Sequence, residues 1–166
     1  MFSKIFRYRY FSFGMFVALA VLASCGGGDD NPTPTDPTLT AQQERAQAMA
    51  GTWNSSEVST VPGDTEDAAK QELEVLSLTF SVNSDQNPTT FSSSGAPTYF
   101  NAGSGASWAW ADATTVEDVN LSAVSPVSSF TIDSFSANSM TISFTFDGPS
   151  TSRVEGLGTY TVVLSK

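Results

Sequence analysis

The sequence predicts an all-β fold: an antiparallel meander, closed as a small barrel or folded as a β-sandwich, with one short helix on its N-terminal side. Two observations predict it. Apolar residues alternate with Ser, Thr and Ala over several short segments, and Gly, Asn, Asp, Ser and Pro separate these segments. Such a two-residue period buries one face of each strand and leaves the other in water. Many short strands of this kind favour a barrel or a sandwich.

The strands themselves are marked by large apolar residues at every second position. These positions are Leu76, Leu78, Phe80 and Val82; Trp108 and Trp110; Phe130 and Ile132; Met140, Ile142, Phe144 and Phe146; and Tyr160, Val162 and Leu164. The strand after Gly51 departs from the pattern. In a regular strand Glu57 would lie on the same face as Trp53, and the apolar Val58 would lie on the opposite face. We expect a bulge at this point, or a different fold.

The short helix is predicted over residues 41–50. Thr40 and Gln43 fit a capping box, most of the following residues are good helix formers, and Gly51 suits the position just past a helix end. Further along the chain, acidic residues are expected to surround a solvated loop. They are Glu66, Asp67, Glu72 and Glu74.

Residues 1–24 have the features of a secretion signal. Lys4, Arg7 and Arg9 form a positive segment, and an apolar run follows over residues 13–23. As a helix this run would be about 16 Å long, roughly half the thickness of a bilayer core. We therefore expect a signal peptide rather than a stable membrane span.

The end of this signal resembles the lipobox of bacterial lipoproteins. Leu22-Ala-Ser-Cys25 places the single cysteine of the chain where that motif requires it, and the following Gly-Gly-Gly-Asp-Asp resembles the export signal of Bacteroidota-type surface lipoproteins. The resemblance implies acylation of Cys25, anchoring in the outer membrane and display at the cell surface. Residues 25–39 would then be the acylated cysteine and a flexible Gly/Asp/Pro/Thr tether, and residues 40–166 the β domain with its leading helix.

The β domain carries a second resemblance. A short helix, Gly51-Thr-Trp53 and a meander that ends in Tyr160-Thr-Val-Val-Leu164 together resemble lipocalin-like domains. The resemblance implies that Trp53 packs across the closed end of a barrel and that Arg153, which precedes the last strand, stacks on it.

The composition excludes several kinds of site. The chain has no histidine and one cysteine, so a Cys/His zinc site, a Ser-His-Asp or Cys-His nucleophile and an internal disulfide are all ruled out. No metal or cofactor is expected.

From Cys25 onward four basic residues face seventeen acidic ones, and this balance repels nucleic acid and anionic headgroups. The one enzymatic alternative is a carboxylate-based glycoside hydrolase, for which no spacing singles out a pair.

The aromatic residues of the β domain define the hypotheses for function. Trp108 and Trp110 share one strand face and Tyr99 lies upstream, so they belong either to the core or to a surface that stacks on a ligand. We expect a non-enzymatic binding module for a small apolar molecule or a glycan. The alternative is a structural or accessory lipoprotein that binds a protein partner and has no ligand cavity. The direction of the two indoles distinguishes these cases.

Overall fold

The computed structural model describes residues 38–62, 66–147 and 156–166. Within these ranges the chain forms two helices and eight strands. The helices are α1 (Ala41–Met49) and α2 (Glu66–Glu74). The strands are β1 (Gly51–Thr60), β2 (Ser77–Val82), β3 (Pro88–Ser94), β4 (Phe100–Trp110), β5 (Asp118–Pro126), β6 (Ser129–Phe135), β7 (Ser139–Phe146) and β8 (Gly158–Ser165).

The strands form a closed barrel. Each strand pairs antiparallel with the next one along the chain, and β8 returns to pair with β1. The prediction of an all-β meander is thereby confirmed, and it takes the form of a barrel rather than a sandwich. Closure suits the sequence because a short alternating strand has one apolar face, and a barrel turns that face inward on every strand.

The interior of the barrel is filled with apolar side chains of one parity from each strand. On β7, Met140, Ile142, Phe144 and Phe146 are at most 2% exposed, whereas Thr145 between them is exposed. Buried apolar residues come from all eight strands and from both helices, and no polar side chain in the described ranges is buried.

The expected irregularity in β1 is a shift in register. The pairing of β1 with β8 shifts between Ser55 and Glu57 and again between Val58 and Thr60. An extra residue in one strand reverses the parity of the residues that follow it. Val58 is consequently buried while Glu57 is exposed, and the predicted bulge is confirmed.

The capping box of α1 forms as predicted. The Gln43 backbone N–H donates to the Thr40 hydroxyl at 3.2 Å, and the Thr40 N–H donates to Gln43 Oε1 at 2.9 Å. The side-chain amide of Gln43 also donates to the backbone carbonyl of Asp85, in the turn between β2 and β3. The helix ends at Met49, and Gly51 opens β1 with a φ of 116°, a value that favours glycine.

Further contacts of α1 show that it closes one end of the barrel. The Gln42 side chain donates to the carbonyls of Asp112 and Thr115, at 2.8 and 2.7 Å, in the loop that joins β4 to β5. Lys166, which follows β8, donates to the carbonyl of Ala48 at 2.8 Å. These contacts lie where β4 and β8 end and β1 begins, so the helix covers that end.

The opposite end is filled by a cluster of aromatic rings, which we call the aromatic plug: Tyr99, Phe100, Phe144, Phe146 and Tyr160. Phe144 stacks on Tyr160 with ring centroids 5.3 Å apart, and Phe100 meets Phe144 edge-on at 4.8 Å. The rings come from the starts of β4 and β8 and from the end of β7, and all of them are buried.

The second helix, α2, lies where the acidic sequence predicts a loop, so that prediction is wrong. Glutamate, alanine, lysine and glutamine are good helix formers, however, and Ala69 and Leu73, four residues apart, bury one face. The Glu72 carboxylate accepts a hydrogen bond from the Thr98 backbone N–H at 2.8 Å. This bond ties the helix to the connection between β3 and β4.

Some expectations fall outside the described residues, namely the signal peptide over 1–24, the acylated Cys25 with most of the tether, and Arg153. In the described part of the chain, neither helix is long and apolar enough to cross a membrane.

The strand register yields a prediction for stability. Phe144→Ala removes a buried ring from the aromatic plug and should lower the free energy of unfolding by about 3–5 kcal/mol. Thr145→Ala, at the adjacent exposed position, should change it by no more than about 0.5 kcal/mol beyond its strand preference. Urea unfolding of the two variants measures the difference. A larger loss for Thr145→Ala would mean that the inward and outward faces of β7 are exchanged.

Candidate functional site

Trp108 is part of the barrel core. It is 2% exposed, its indole N–H donates to the carbonyl of Ser81 at 2.8 Å, and its ring meets Phe80 edge-on at 5.3 Å. The protein itself therefore buries the apolar ring and provides an acceptor for the indole N–H. The residue offers no face to a ligand.

Trp110 packs against Trp108 rather than forming an open platform. The two rings are perpendicular, with centroids 5.4 Å apart, and Trp110 is partly buried against the core. Its indole N–H is buried without a hydrogen-bond partner within the described residues. Trp108 and the neighbouring core therefore cover part of the Trp110 side chain.

Tyr99 lies far from the two tryptophans. It precedes β4, whereas Trp108 and Trp110 lie at the end of that strand, so Tyr99 and the two tryptophans are at opposite ends of β4. Tyr99 is fully buried in the aromatic plug, with its ring centroid 5.0 Å from that of Tyr160. The structure therefore does not bring the three expected ligand-binding aromatics together.

Trp53 lies in the core at the end of the barrel that α1 covers. It is fully buried, and its indole N–H donates to the carbonyl of Met49, the last residue of α1, at 2.7 Å. The expected partner Arg153 lies outside the described residues. The cation that the structure places over the Trp53 ring is Lys166, with Nζ 4.9 Å from the centroid.

A second cation extends this arrangement. Phe135, at the end of β6, packs on Trp53 with centroids 5.7 Å apart, and the Arg45 guanidinium of α1 lies 4.4 Å from the Phe135 centroid. Two cations thus flank a pair of aromatic rings and fasten α1 to the barrel. This group is structural.

Asp112, which follows Trp110, is also structural. Its carboxylate accepts hydrogen bonds from the backbone N–H of Thr114 at 2.6 Å, from the backbone N–H of Thr115 at 2.8 Å and from the Thr114 hydroxyl at 2.9 Å. These bonds lower the pKa of Asp112 because they favour the charged form of the carboxylate. The bond from the Thr114 backbone has the largest effect. The carboxylate shapes the loop between β4 and β5.

The candidate site is a cleft on the outer face of the barrel, over β5, β6 and β7, with a volume of about 620 Å³. Its floor includes Val119 and Phe130, whose side chains belong to the core. Its polar wall comprises Asp118, Asn120, Thr131, Ser143, Thr145 and Asp147. We call this group the polar cleft.

The polar cleft exists because β6 is shorter than its neighbours. β6 pairs with β5 through Ser129 to Thr131, and its pairing with β7 runs from Thr131 to Phe135. In the described register, β5 continues to Pro126 and β7 to Phe146 without β6 beside them. The outer surface of a small barrel is normally convex, and a short strand between two longer ones makes it concave.

Hydrogen bonds hold several side chains of the polar cleft in place. The Thr131 hydroxyl donates to Asp118 Oδ1 at 2.8 Å. The Ser143 hydroxyl donates to Asp133 Oδ2 and lies 3.2 Å from the hydroxyl of Thr161 on β8. The walls are therefore oriented by cross-strand pairs, while the side chains of Asn120 and Asp147 are exposed to solvent.

The polar cleft is electronegative. Asp118 and Asp147 line it, and none of the basic residues in the described ranges does. Of those, Arg45 and Lys166 are engaged with aromatic rings at the α1 end, and Lys70 belongs to α2. Within the described residues, no three Cys, Asp or Glu side chains are grouped so that they could hold a metal ion. The polar cleft presents hydroxyl, amide and carboxylate groups that can form hydrogen bonds.

Sequence reasoning missed the polar cleft for an identifiable reason. Its Ser, Thr, Asn and Asp residues are the outward members of the alternating strands, a composition that indicates only a solvated face. The concavity depends on where β6 begins relative to β5 and β7. The turn residues before Ser129 locate that start only approximately.

Searches against protein-family models, curated proteins and solved structures find no significant match.

Proposed function

We propose that this chain is a lipid-anchored bacterial surface protein whose barrel binds a glycan in the polar cleft without chemically altering it. The single observation that carries the proposal is the polar cleft itself, a concave, hydroxyl-rich surface on an otherwise filled barrel. Its volume of about 620 Å³ lies in the range typical of small-molecule sites.

The filling of the barrel favours a glycan over a small apolar molecule. An apolar ligand gains most from an enclosed apolar cavity. Here side chains from all eight strands occupy the interior, α1 covers one end and the aromatic plug fills the other. The expected aromatic platform of Trp108, Trp110 and Tyr99 is used in packing.

The polar cleft has the donors and acceptors that a sugar needs. A sugar hydroxyl both donates and accepts, so it pairs well with a mixture of carboxylate, amide and hydroxyl groups. Asp118 offers acceptors only, Asn120 offers both kinds, and hydroxyls such as those of Thr131 and Thr145 can donate and accept. Cross-strand hydrogen bonds orient part of this set before a ligand arrives, which lowers the entropic cost of binding.

The residue types of the polar cleft support binding without catalysis. A carboxylate-based glycosidase needs one carboxylic acid kept protonated, which enzymes achieve by burial. Asp147 is exposed and Asp118 is only partly buried. The chain also lacks histidine, the usual general acid and base near neutral pH.

The anchor part of the proposal rests on the sequence. The lipobox-like Leu22-Ala-Ser-Cys25 and the tether supply an acyl anchor and a spacer to the barrel. An extended tether of this composition would reach about 35–40 Å. The outer membrane is therefore the proposed location, and an external glycan is a ligand that such a protein would meet there.

Acylation is tested with Cys25→Ser. The thiol is the proposed attachment point, and two or three acyl chains bind a bilayer far more firmly than one. We expect the variant to leave the membrane fraction and the wild type to carry an acyl mass. Membrane retention of the variant, together with a wild type of unmodified mass, would contradict the anchor.

Glycan binding is tested with Asn120→Ala in the polar cleft. Loss of one or two hydrogen bonds at about 1 kcal/mol each should weaken binding by roughly 5- to 30-fold. The matched control is Asn101→Ala, an exposed asparagine on β4 that does not line the polar cleft. Glycan-array screening followed by titration of both variants gives the measurement.

Two results would contradict the proposed site. Equal weakening by Asn101→Ala would place binding elsewhere on the barrel. Failure of the wild type to bind any glycan on the array would contradict glycan binding altogether and would favour an accessory role with a protein partner.

A further inference from the structure

We propose that the polar cleft selects uncharged glycans, and that Asp118 and Asp147 are the residues that exclude sugars bearing carboxylate, sulfate or phosphate groups. The inference rests on the proposed glycan binding and deepens it, because it names the class of glycan and the side chains that decide the specificity.

The two carboxylates reach the polar cleft from different strands. Asp118 is the first residue of β5, and Asp147 directly follows β7, so β6 lies between them. Asp118 is held by the hydrogen bond from Thr131, on the intervening strand. A ligand that fills the polar cleft from β5 to β7 must therefore lie between two negative charges.

The surroundings strengthen this negative field. Asp133 accepts a hydrogen bond from Ser143, a residue of the cleft wall, and so adds a third carboxylate nearby. None of the basic side chains in the described ranges lines the cleft to offset these charges. The sequence from Cys25 onward has four basic and seventeen acidic residues, so the long-range field has the same sign.

The same carboxylates that repel anions attract neutral sugars. A carboxylate accepts hydrogen bonds on both oxygens, and adjacent hydroxyls of a sugar ring can donate to both at once. An anionic substituent close to Asp118 or Asp147 meets like charge instead, which at close range costs about tenfold or more in affinity. Asp118 and Asp147 thus attract the neighbouring hydroxyls of a neutral sugar and repel the anionic groups of a charged one.

The test uses oligomers of glucose, galactose and mannose, each paired with its uronate counterpart: oligoglucuronides, oligogalacturonides and oligomannuronides. The members of a pair differ mainly at C6, where the uronate has a carboxylate. The detergent-solubilised protein is titrated with both members of each pair. We expect the neutral member that binds best to exceed its uronate at least tenfold in affinity.

The variant Asp118→Asn/Asp147→Asn removes both charges and keeps the shapes. Asparagine at 118 retains an oxygen that can accept the hydrogen bond from Thr131. We expect the preference for the neutral member to shrink at least fivefold. The matched control, Asp67→Asn/Asp85→Asn, removes the same net charge at exposed positions outside the cleft and should leave the preference unchanged. Asp147→Asn alone provides a milder change, with a smaller effect in the same direction.

The outcomes separate the two proposals. If the wild type binds a uronate as well as its neutral counterpart, or if the control variant narrows the preference equally, the assignment of selectivity to Asp118 and Asp147 is wrong while glycan binding stands. If no member of any pair binds the wild type, glycan binding itself is wrong and the selectivity proposal fails with it.

Discussion

The pairing of β8 with β1 is the constraint on which the other features of the domain depend. It removes both edges of the sheet, so backbone groups that would otherwise be exposed along two strands bond to each other. It also fixes an interior volume, which the side chains at alternate positions of every strand must fill. It leaves two ends of the barrel that must be covered. The helix α1 covers one end and the aromatic plug fills the other. Because no disulfide can form within the chain, this apolar interior must supply the stability.

The outer face of the barrel differs from the apolar interior, because many of its side chains are the hydroxyl-bearing Ser and Thr. Cross-strand hydroxyl pairs bring together Thr52 and Thr79 at 2.9 Å, and Ser134 and Thr141 at the same distance. Each such pair forms a hydrogen bond between neighbouring strands and so stabilises their pairing. The polar cleft interrupts this pattern, because there the sheet is locally concave and two carboxylates join the hydroxyls. Function is proposed where the regular pattern of the barrel is broken.

The sequence predicted those features that depend on local pattern. The alternating pattern predicted that Phe144 lies inside the barrel and Thr145 outside it. A break in the same pattern predicted the bulge before Val58. Thr40 and Gln43 predicted the start of α1. What it missed depends on distant partners. The acidic segment of α2 has a composition that suits a loop or a helix, and burial of its Leu73 decides between them. The polar cleft depends on the relative lengths of three strands, and the place of Lys166 over Trp53 depends on closure of the barrel.

The meander has a consequence for the order of folding. Every strand pair except one joins neighbours in sequence, so hairpins can form locally as the chain becomes available. The exception joins Asn54 to Ser165, nearly the full length of the domain, and closing that loop carries the largest entropic cost among the strand pairings. For a chain that is exported N-terminus first, as proposed here, the barrel cannot close until β8 has emerged. On that proposal, the strands that emerge first would carry an unpaired edge, which only the arrival of β8 removes.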